Sequence, residues 1–303
     1  MRRWSTRTVA LTAALVIALT ASGCATTRTP DDSPGALPAG VPTPTETIEH
    51  GTASGGPPPF TIRYDDTELV LPATSWCYGN SCADGYDMHP PSVGSPNEVF
   101  VFVPVAGFET LSASQRSSGD WCAARTVEAE VTDLGDGWWS VHPQGAAGTW
   151  TLDFFAGGDG GGDMAASVAW DTPADQPLPE PEASVVVIAD HDGEPDSYGV
   201  ELRVWNLADT PVDAVAEVTV TAADGESLTF EATRDTECAG EGALHFDGPA
   251  SAGREAAALG DFPFTYDVTL TVDGAEHTAS GVYPDDAPTH DLAVPLEFSP
   301  ALD

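Results

Sequence analysis

Five cysteines carry the clearest chemistry in this 303-residue chain. Cys77 and Cys82 lie in the segment WCYGNSC, where a Gly-Asn turn can bring their sulfurs together as a local disulfide. That bond leaves Cys122 and Cys238 to pair over a long stretch of chain or to stay free. The rival pairing joins Cys122 to Cys77 or Cys82. The spacing also allows a zinc site from Cys77, Cys82 and Cys122 with His89, although an oxidising compartment favours disulfides.

Tryptophan side chains are the candidate ligand-binding groups. Trp138 and Trp139 are adjacent in a segment that alternates like a strand. Neighbours on a strand point to opposite faces, so both rings cannot enter one core. We expect the outer ring to stack on a sugar or to contact a protein partner. The alternative is that it packs beneath a loop or against a second domain.

Three aspartates form the best candidate for a metal site. Asp190, Asp192 and Asp196 lie in the segment DHDGEPD, and oxygen ligands at alternate positions beside a glycine suit Ca²⁺. The other interpretation is a solvated turn between two strands. Calcium is the one cofactor that these residues suggest. A second glycine- and aspartate-rich segment, residues 156–163, is predicted to be a hairpin loop rather than a calcium site, because it has one copy and irregular spacing.

No catalytic motif is evident in the sequence. It has no G-x-S-x-G, H-E-x-x-H, P-loop or dinucleotide fingerprint, and its seven histidines are scattered. The net charge of −38, with no lysine, argues against binding to nucleic acid or to an anionic lipid surface. We therefore predict a protein that is not an enzyme. A glycan or peptide hydrolase built from some of its many carboxylates is the alternative.

The first 24 residues indicate export. Arg2, Arg3 and Arg7 precede an apolar run over residues 9–19, and small residues follow. The sequence Ala-Ser-Gly-Cys that ends at Cys24 resembles the lipobox of bacterial lipoprotein precursors, with Ala where that family prefers Leu. The resemblance implies a signal peptide at 1–23, lipidation of Cys24 and a lipid anchor in the cell membrane on its extracytoplasmic face. An ordinary secretory signal is the alternative.

The remaining chain divides by composition. Residues 24–58 are rich in Pro, Thr, Ser and Gly, which predicts a disordered tether. Short alternating segments over 59–172 predict a first β-sandwich domain, and the proline-rich stretch 173–183 predicts a linker. Residues 184–303 show about seven strands, with hairpin signals at two Asp-Gly pairs.

The spacing of the strands over 184–303 resembles an immunoglobulin-like or fibronectin-type sandwich. The expected fold is therefore all-β, with two β-sandwich domains in tandem after the tether. The expected function is a non-enzymatic cell-surface lipoprotein with a binding or structural role. Its possible partners are the membrane, through the lipid anchor, and a cell-surface protein or glycan. A carbohydrate- or cell-wall-binding module is the alternative within that class. A sandwich fold by itself indicates no activity.

Overall fold

The computed structural model describes residues 37–51, 55–158, 161–190, 192–289 and 291–303. The signal peptide and Cys24 lie outside this part of the chain. The described residues are almost entirely β-structure and group by their contacts into one compact unit. The predicted all-β sandwich fold is confirmed.

The first half of the described chain forms two six-stranded sheets. Its strands are β1 (Glu46–Glu49), β2 (Phe60–Tyr64), β3 (Thr67–Leu71), β4 (Ser75–Tyr78), β5 (Ser81–Ala83), β6 (Val99–Phe102), β7 (Thr110–Ser117), β8 (Thr126–Glu128), β9 (Glu130–Gly135), β10 (Trp138–His142), β11 (Gly148–Gly157) and β12 (Asp163–Thr172). Sheet I has the order β1-β3-β2-β6-β10-β9, and sheet II has the order β5-β4-β12-β11-β7-β8. The two sheets share one hydrophobic core and form the N-terminal sandwich.

Alternation along the strands produces this core. In β11, Trp150, Leu152 and Phe154 are buried, whereas Thr151 and Asp153 face outward. Such period-2 patterning is what a sheet with one buried face requires. β11 and β12 pair antiparallel from their turn outward, so the glycine-rich segment between them connects a hairpin as predicted.

One edge of the sandwich is closed by a strand that changes sheets. β8 pairs with β7 in sheet II, and β9, which follows after Ala129, pairs with β10 in sheet I. Ala129 is buried and its N–H donates to Ala113 O. The two sheets are therefore continuous at this edge through the backbone itself.

The predicted disorder of residues 24–58 is wrong for the part that the structure describes. β1 pairs parallel with β3, and the Arg63 guanidinium donates to Pro42 O at 3.3 Å. Leu37 and Val41 pack against Trp138 on the outer face of sheet I. Composition alone predicted disorder because the segment has few apolar residues, but those few pack against an apolar patch on the outer face of sheet I. We call residues 37–49 the strap.

The second half forms the C-terminal sandwich. Its elements are β13 (Glu182–Val186), β14 (Ala189–Asp190), β15 (Pro195–Asp196), β16 (Val200–Trp205), β17 (Ala214–Thr221), β18 (Ser227–Asp235), β19 (Leu244–Gly248), α1 (Ala250–Ala257), β20 (Phe264–Val272), β21 (Ala275–Tyr283) and β22 (Val294–Pro295). Sheet III has the order β21-β20-β17-β18-β19-β16-β13-β22, and β14 pairs with β15. Buried residues of all the long strands form a second core.

Sheet III folds over itself at β18. The first part of β18 pairs with β17, and its last residues, Thr233 to Asp235, pair with β19. This divides sheet III into two layers, one ending in β21 and the other in β22, which enclose one core as in an immunoglobulin-like sandwich. Both predicted Asp-Gly hairpins are present, between β17 and β18 and between β20 and β21.

Candidate binding cleft

The two sandwiches are joined covalently and by backbone hydrogen bonds. Cys122 and Cys238 form a disulfide with Cα atoms 4.2 Å apart. Beside it, Gly240 N–H donates to Cys122 O at 3.0 Å and Glu241 N–H donates to Ala124 O at 3.3 Å. The other disulfide joins Cys77 and Cys82 within one hairpin. Of the two pairings left open by the sequence, the structure has the local bond together with the long-range one.

Arg125 is the main polar contact at this junction. Its buried guanidinium donates to Leu207 O at 2.9 Å and to Ala208 O at 3.0 Å, and it pairs with Glu241 at 3.1 Å. A charge buried at an interface is tolerated only when its donors are satisfied in this way. Gly242 has φ +71°, and a Cβ there would overlap the Arg125 guanidinium and the Leu207 carbonyl. This position therefore requires glycine.

A cleft of about 570 Å³ opens beside the junction. One wall is the outer face of sheet II, where Ser114, Arg116 and Asp153 project from β7 and β11. The opposite wall is the outer face of β16 and β19, where Arg203 and His245 are directly paired neighbours. The sandwich junction closes the end of the cleft, since Cys238 to Ala243 line it.

Arg116 organises the sheet II wall. Its guanidinium lies 4.2 Å from the centre of the Trp121 ring, donates to the Tyr86 hydroxyl at 2.9 Å and lies 3.7 Å from an Asp153 carboxylate oxygen. Trp121 and Tyr86 belong to different loops, so one arginine fixes aromatic rings from both. We call Tyr86, Arg116, Trp121 and Asp153 the Arg116 cluster. Trp121 is also next to Cys122 in the chain, and the disulfide therefore ties its loop to the C-terminal sandwich.

The aromatic rings of this wall are exposed. Trp121 is 64% exposed, Tyr86 is 53% exposed, and Phe155, further along the same sheet face, is 50% exposed. Arg116 covers one face of the Trp121 indole, so the exposure of Trp121 is largely that of its other face. Exposed aromatics grouped on one surface are typical of binding sites.

Two titratable groups in the cleft have shifted pKa values. Partial burial raises the pKa of Glu128, a hydrogen bond from Ser114 opposes this, and the nearby Glu182 carboxylate raises it further. Burial lowers the pKa of His245, and the positive charge of Arg203 lowers it again. Each shift is in the direction that stabilises the neutral form of the group. Arg203 is itself paired with Glu201 at 2.7 Å.

The predicted ligand-binding pair, Trp138 and Trp139, does not form an exposed platform. Trp138 is buried on the outer face of sheet I, with Phe102 5.2 Å away between ring centres and the Arg63 guanidinium 5.0 Å away. Trp139 packs against the core shared by sheets I and II. The two rings point to opposite faces of the strand, as predicted, but the strap covers the outer face.

Sequence reasoning missed Trp121 and Tyr86 as the exposed aromatics. Each lies among Gly, Ser, Asp and Ala, in SSGDWCAA and ADGYDMH. Turn-forming residues on both sides keep such a ring out of a core strand. That composition is the signal that could have identified them.

The aspartates at 190, 192 and 196 are exposed and accept local backbone N–H bonds. Their partners are Gly193 at 2.8 Å, Glu194 at 3.3 Å and Ser197 at 2.7 Å. Among the residues that the structure describes, no three His, Cys, Asp or Glu side chains are grouped to hold a metal ion. Calcium binding here stays a prediction, and the observed hydrogen bonds are those of a turn.

Within residues 37–303, leaving aside the short stretches that the structure does not describe, no helix has the length and apolar character to cross a membrane. No protein-family model matches this chain, and no curated protein sequence is significantly similar to it. The function is therefore inferred from the cleft and from the residues that line it.

Proposed function

We propose that this chain is a cell-surface lipoprotein that binds its ligand in the cleft between the two sandwiches. The observation that carries the proposal is the Arg116 cluster, because it fixes the exposed Trp121 ring in the lining of the cleft, with the exposed Tyr86 held by the same arginine. Pockets that combine aromatic surface with a few oriented polar groups are the usual form of a ligand site. The disulfide and Arg125 hold the two walls together, so the cleft is preformed.

The anchor is proposed from the lipobox resemblance at Cys24. Metabolic labelling with a fatty-acid analogue tests it in a bacterial host. We expect label and membrane fractionation in the wild-type chain and the loss of both in Cys24→Ser. If the substitution changes neither, the anchor proposal fails.

Binding is tested separately on the chain that carries Cys24→Ser, which removes the lipid. We expect this protein to sediment saturably with isolated bacterial cell envelopes, and we expect Trp121→Ala to weaken the binding roughly tenfold or more, as for a central aromatic contact. Tyr198→Ala is the matched control, because Tyr198 is an exposed aromatic residue outside the cleft. Sedimentation that is absent, or equal in all three proteins, refutes binding through the cleft.

A hydrolase is the second candidate, and Glu128 is the observation that favours it. A carboxyl with a raised pKa and a second carboxylate in the same cleft are two features that glycoside hydrolases share. The test is release of reducing ends from cell-wall glycan by wild-type protein and by Glu128→Gln. Release that Glu128→Gln abolishes would make the chain an enzyme, and no release would retire this candidate.

A further inference from the structure

We propose that the ligand of the cleft is a neutral carbohydrate, one sugar ring of which stacks on the open face of Trp121 while its hydroxyls bond to Asp153 and Glu128. This inference rests on the proposed binding function and names the chemical class that the site accepts. It depends on the shape of the exposed surface, on the polar groups around it and on the charges already present.

The stacking surface suits a sugar ring. A pyranose presents C–H groups on one face and hydroxyls around its rim, so it requires a flat apolar surface edged by polar groups. Trp121 offers such a surface with 64% of its area exposed, and Arg116 holds the opposite face of the indole at 4.2 Å. A ring fixed in this way loses little side-chain entropy on binding, which favours affinity.

The polar groups lie on the same wall. The strand register places Glu128 of β8 beside Ser114 of β7, and Ser114 beside Asp153 of β11. Ser167 of β12 continues this row and donates to Asp153. The row therefore crosses the outer face of sheet II, where Glu128, Ser114 and Asp153 line the cleft and Ser167 at its end is buried. Such a row can accept and donate hydrogen bonds with the many hydroxyls of an oligosaccharide.

The charges disfavour an anion in the cleft and a cation on the open face of Trp121. An anion would meet a protein of net charge −38 and a cleft whose arginines already have partners, Arg116 with Asp153 and Arg203 with Glu201. A cation on the open face of Trp121 would lie across the ring from the Arg116 guanidinium, whose like charge opposes it. A neutral ligand avoids both costs.

The test is a glycan array, probed with the Cys24→Ser chain and followed by titration calorimetry. The array carries neutral, anionic and amino-sugar oligosaccharides, and a basic peptide is tested alongside. We expect binding to neutral oligosaccharides, weakened roughly tenfold or more by Trp121→Ala and largely restored by Trp121→Phe, because the phenyl ring keeps a stacking surface. Tyr198→Ala should bind as the parent protein does. Unchanged cooperative unfolding of the Trp121 variants shows that their loss of binding is not a loss of folding.

Competition separates this inference from the proposed function. If the protein binds cell envelopes through Trp121 and the neutral oligosaccharides displace it, both are supported. If it binds envelopes but neither binds neutral glycans nor is displaced by them, or is displaced by the basic peptide instead, the carbohydrate inference is wrong and the binding function stands. If it binds neither envelopes nor glycans, both are wrong.

Discussion

Removing the Cys122–Cys238 disulfide tests how the two sandwiches are held together. The perturbation is the double substitution Cys122→Ser/Cys238→Ser in the Cys24→Ser chain. The bond closes a sequence separation of 116 residues, against 5 for Cys77–Cys82. With these separations, the loop-entropy treatment gives stabilisation of about 4.8 kcal/mol for the long-range bond and about 2 kcal/mol for the local one.

The difference in stabilisation free energy between the two bonds is the quantity to measure, because the constant term of the loop-entropy treatment cancels in the difference. We expect Cys122→Ser/Cys238→Ser to lower the free energy of unfolding by about 2.8 kcal/mol more than Cys77→Ser/Cys82→Ser does. Without the long-range bond the sandwiches can also unfold separately, so the transition should broaden or divide into two. The local double substitution is the matched control, since it removes a bond of the same chemistry within one hairpin.

The assay is equilibrium unfolding in urea, followed by tryptophan fluorescence and by circular dichroism. The reasoning is refuted if the long-range double variant loses no more stability than the local one while both probes still report a single coincident transition. That result would mean that Arg125 and the packed junction alone make the two sandwiches one cooperative unit. The envelope-sedimentation assay on the same variant reports whether the cleft keeps its binding wall.

Three other predictions concern charged groups at the junction and in the cleft. Arg125→Ala should lower the free energy of unfolding in urea by roughly 3 kcal/mol, because it removes a buried paired charge and the donors to the Leu207 and Ala208 carbonyl groups. Arg203→Ala is the control: its ion pair is exposed, so the same titration should change by at most about 1 kcal/mol. Since folding raises the pKa of Glu128, the folded chain holds that proton more tightly than the unfolded chain, and stability should fall as pH rises from the ordinary glutamate pKa through the raised one. In urea titrations across that pH window, Glu128→Gln should remove this part of the fall. An identical pH profile for the variant and the parent protein would contradict the assignment. The pKa of His245, measured by NMR titration, should lie below the ordinary histidine value, rise in Arg203→Ala and fall further in Glu201→Gln. Shifts in the opposite directions would show that these two charges do not control the pKa of His245.

The sequence predicted local β-structure well because its signals are local. At Asp273-Gly274 both residues have positive φ, 46° and 85°, which is the conformation that a two-residue hairpin demands and that this pair adopts readily. In β11 the alternation of apolar and polar residues likewise matches the observed buried face, and it can be read without any knowledge of the partner strands. In each case the physics that fixes the structure acts within a few residues.

The parts that sequence reasoning got wrong depend on distant partners. One ring of the Trp138–Trp139 pair faces outward as expected, but that ring, Trp138, is covered by the strap, about a hundred residues earlier in the chain. The cleft is assembled from β7, β11, β16 and β19, and from the junction around Cys238. The periodicity of a single segment does not indicate which distant segments it will contact. Trp121 was open to detection by its loop composition, yet its place beside Arg116 was not.

The position of β1 at the edge of sheet I affects how neighbouring copies of the chain can contact one another. An uncovered sheet edge offers unpaired N–H and C=O groups to any neighbouring chain, and chains tethered to one bilayer, as proposed, would meet at high local concentration. β1 covers the β3 edge of sheet I and is itself four exposed residues, two of them Glu46 and Glu49. The opposite edge, β9, carries Glu130 and Asp133 outward. Like charges at both margins of sheet I would therefore oppose strand-to-strand pairing between adjacent copies along this sheet.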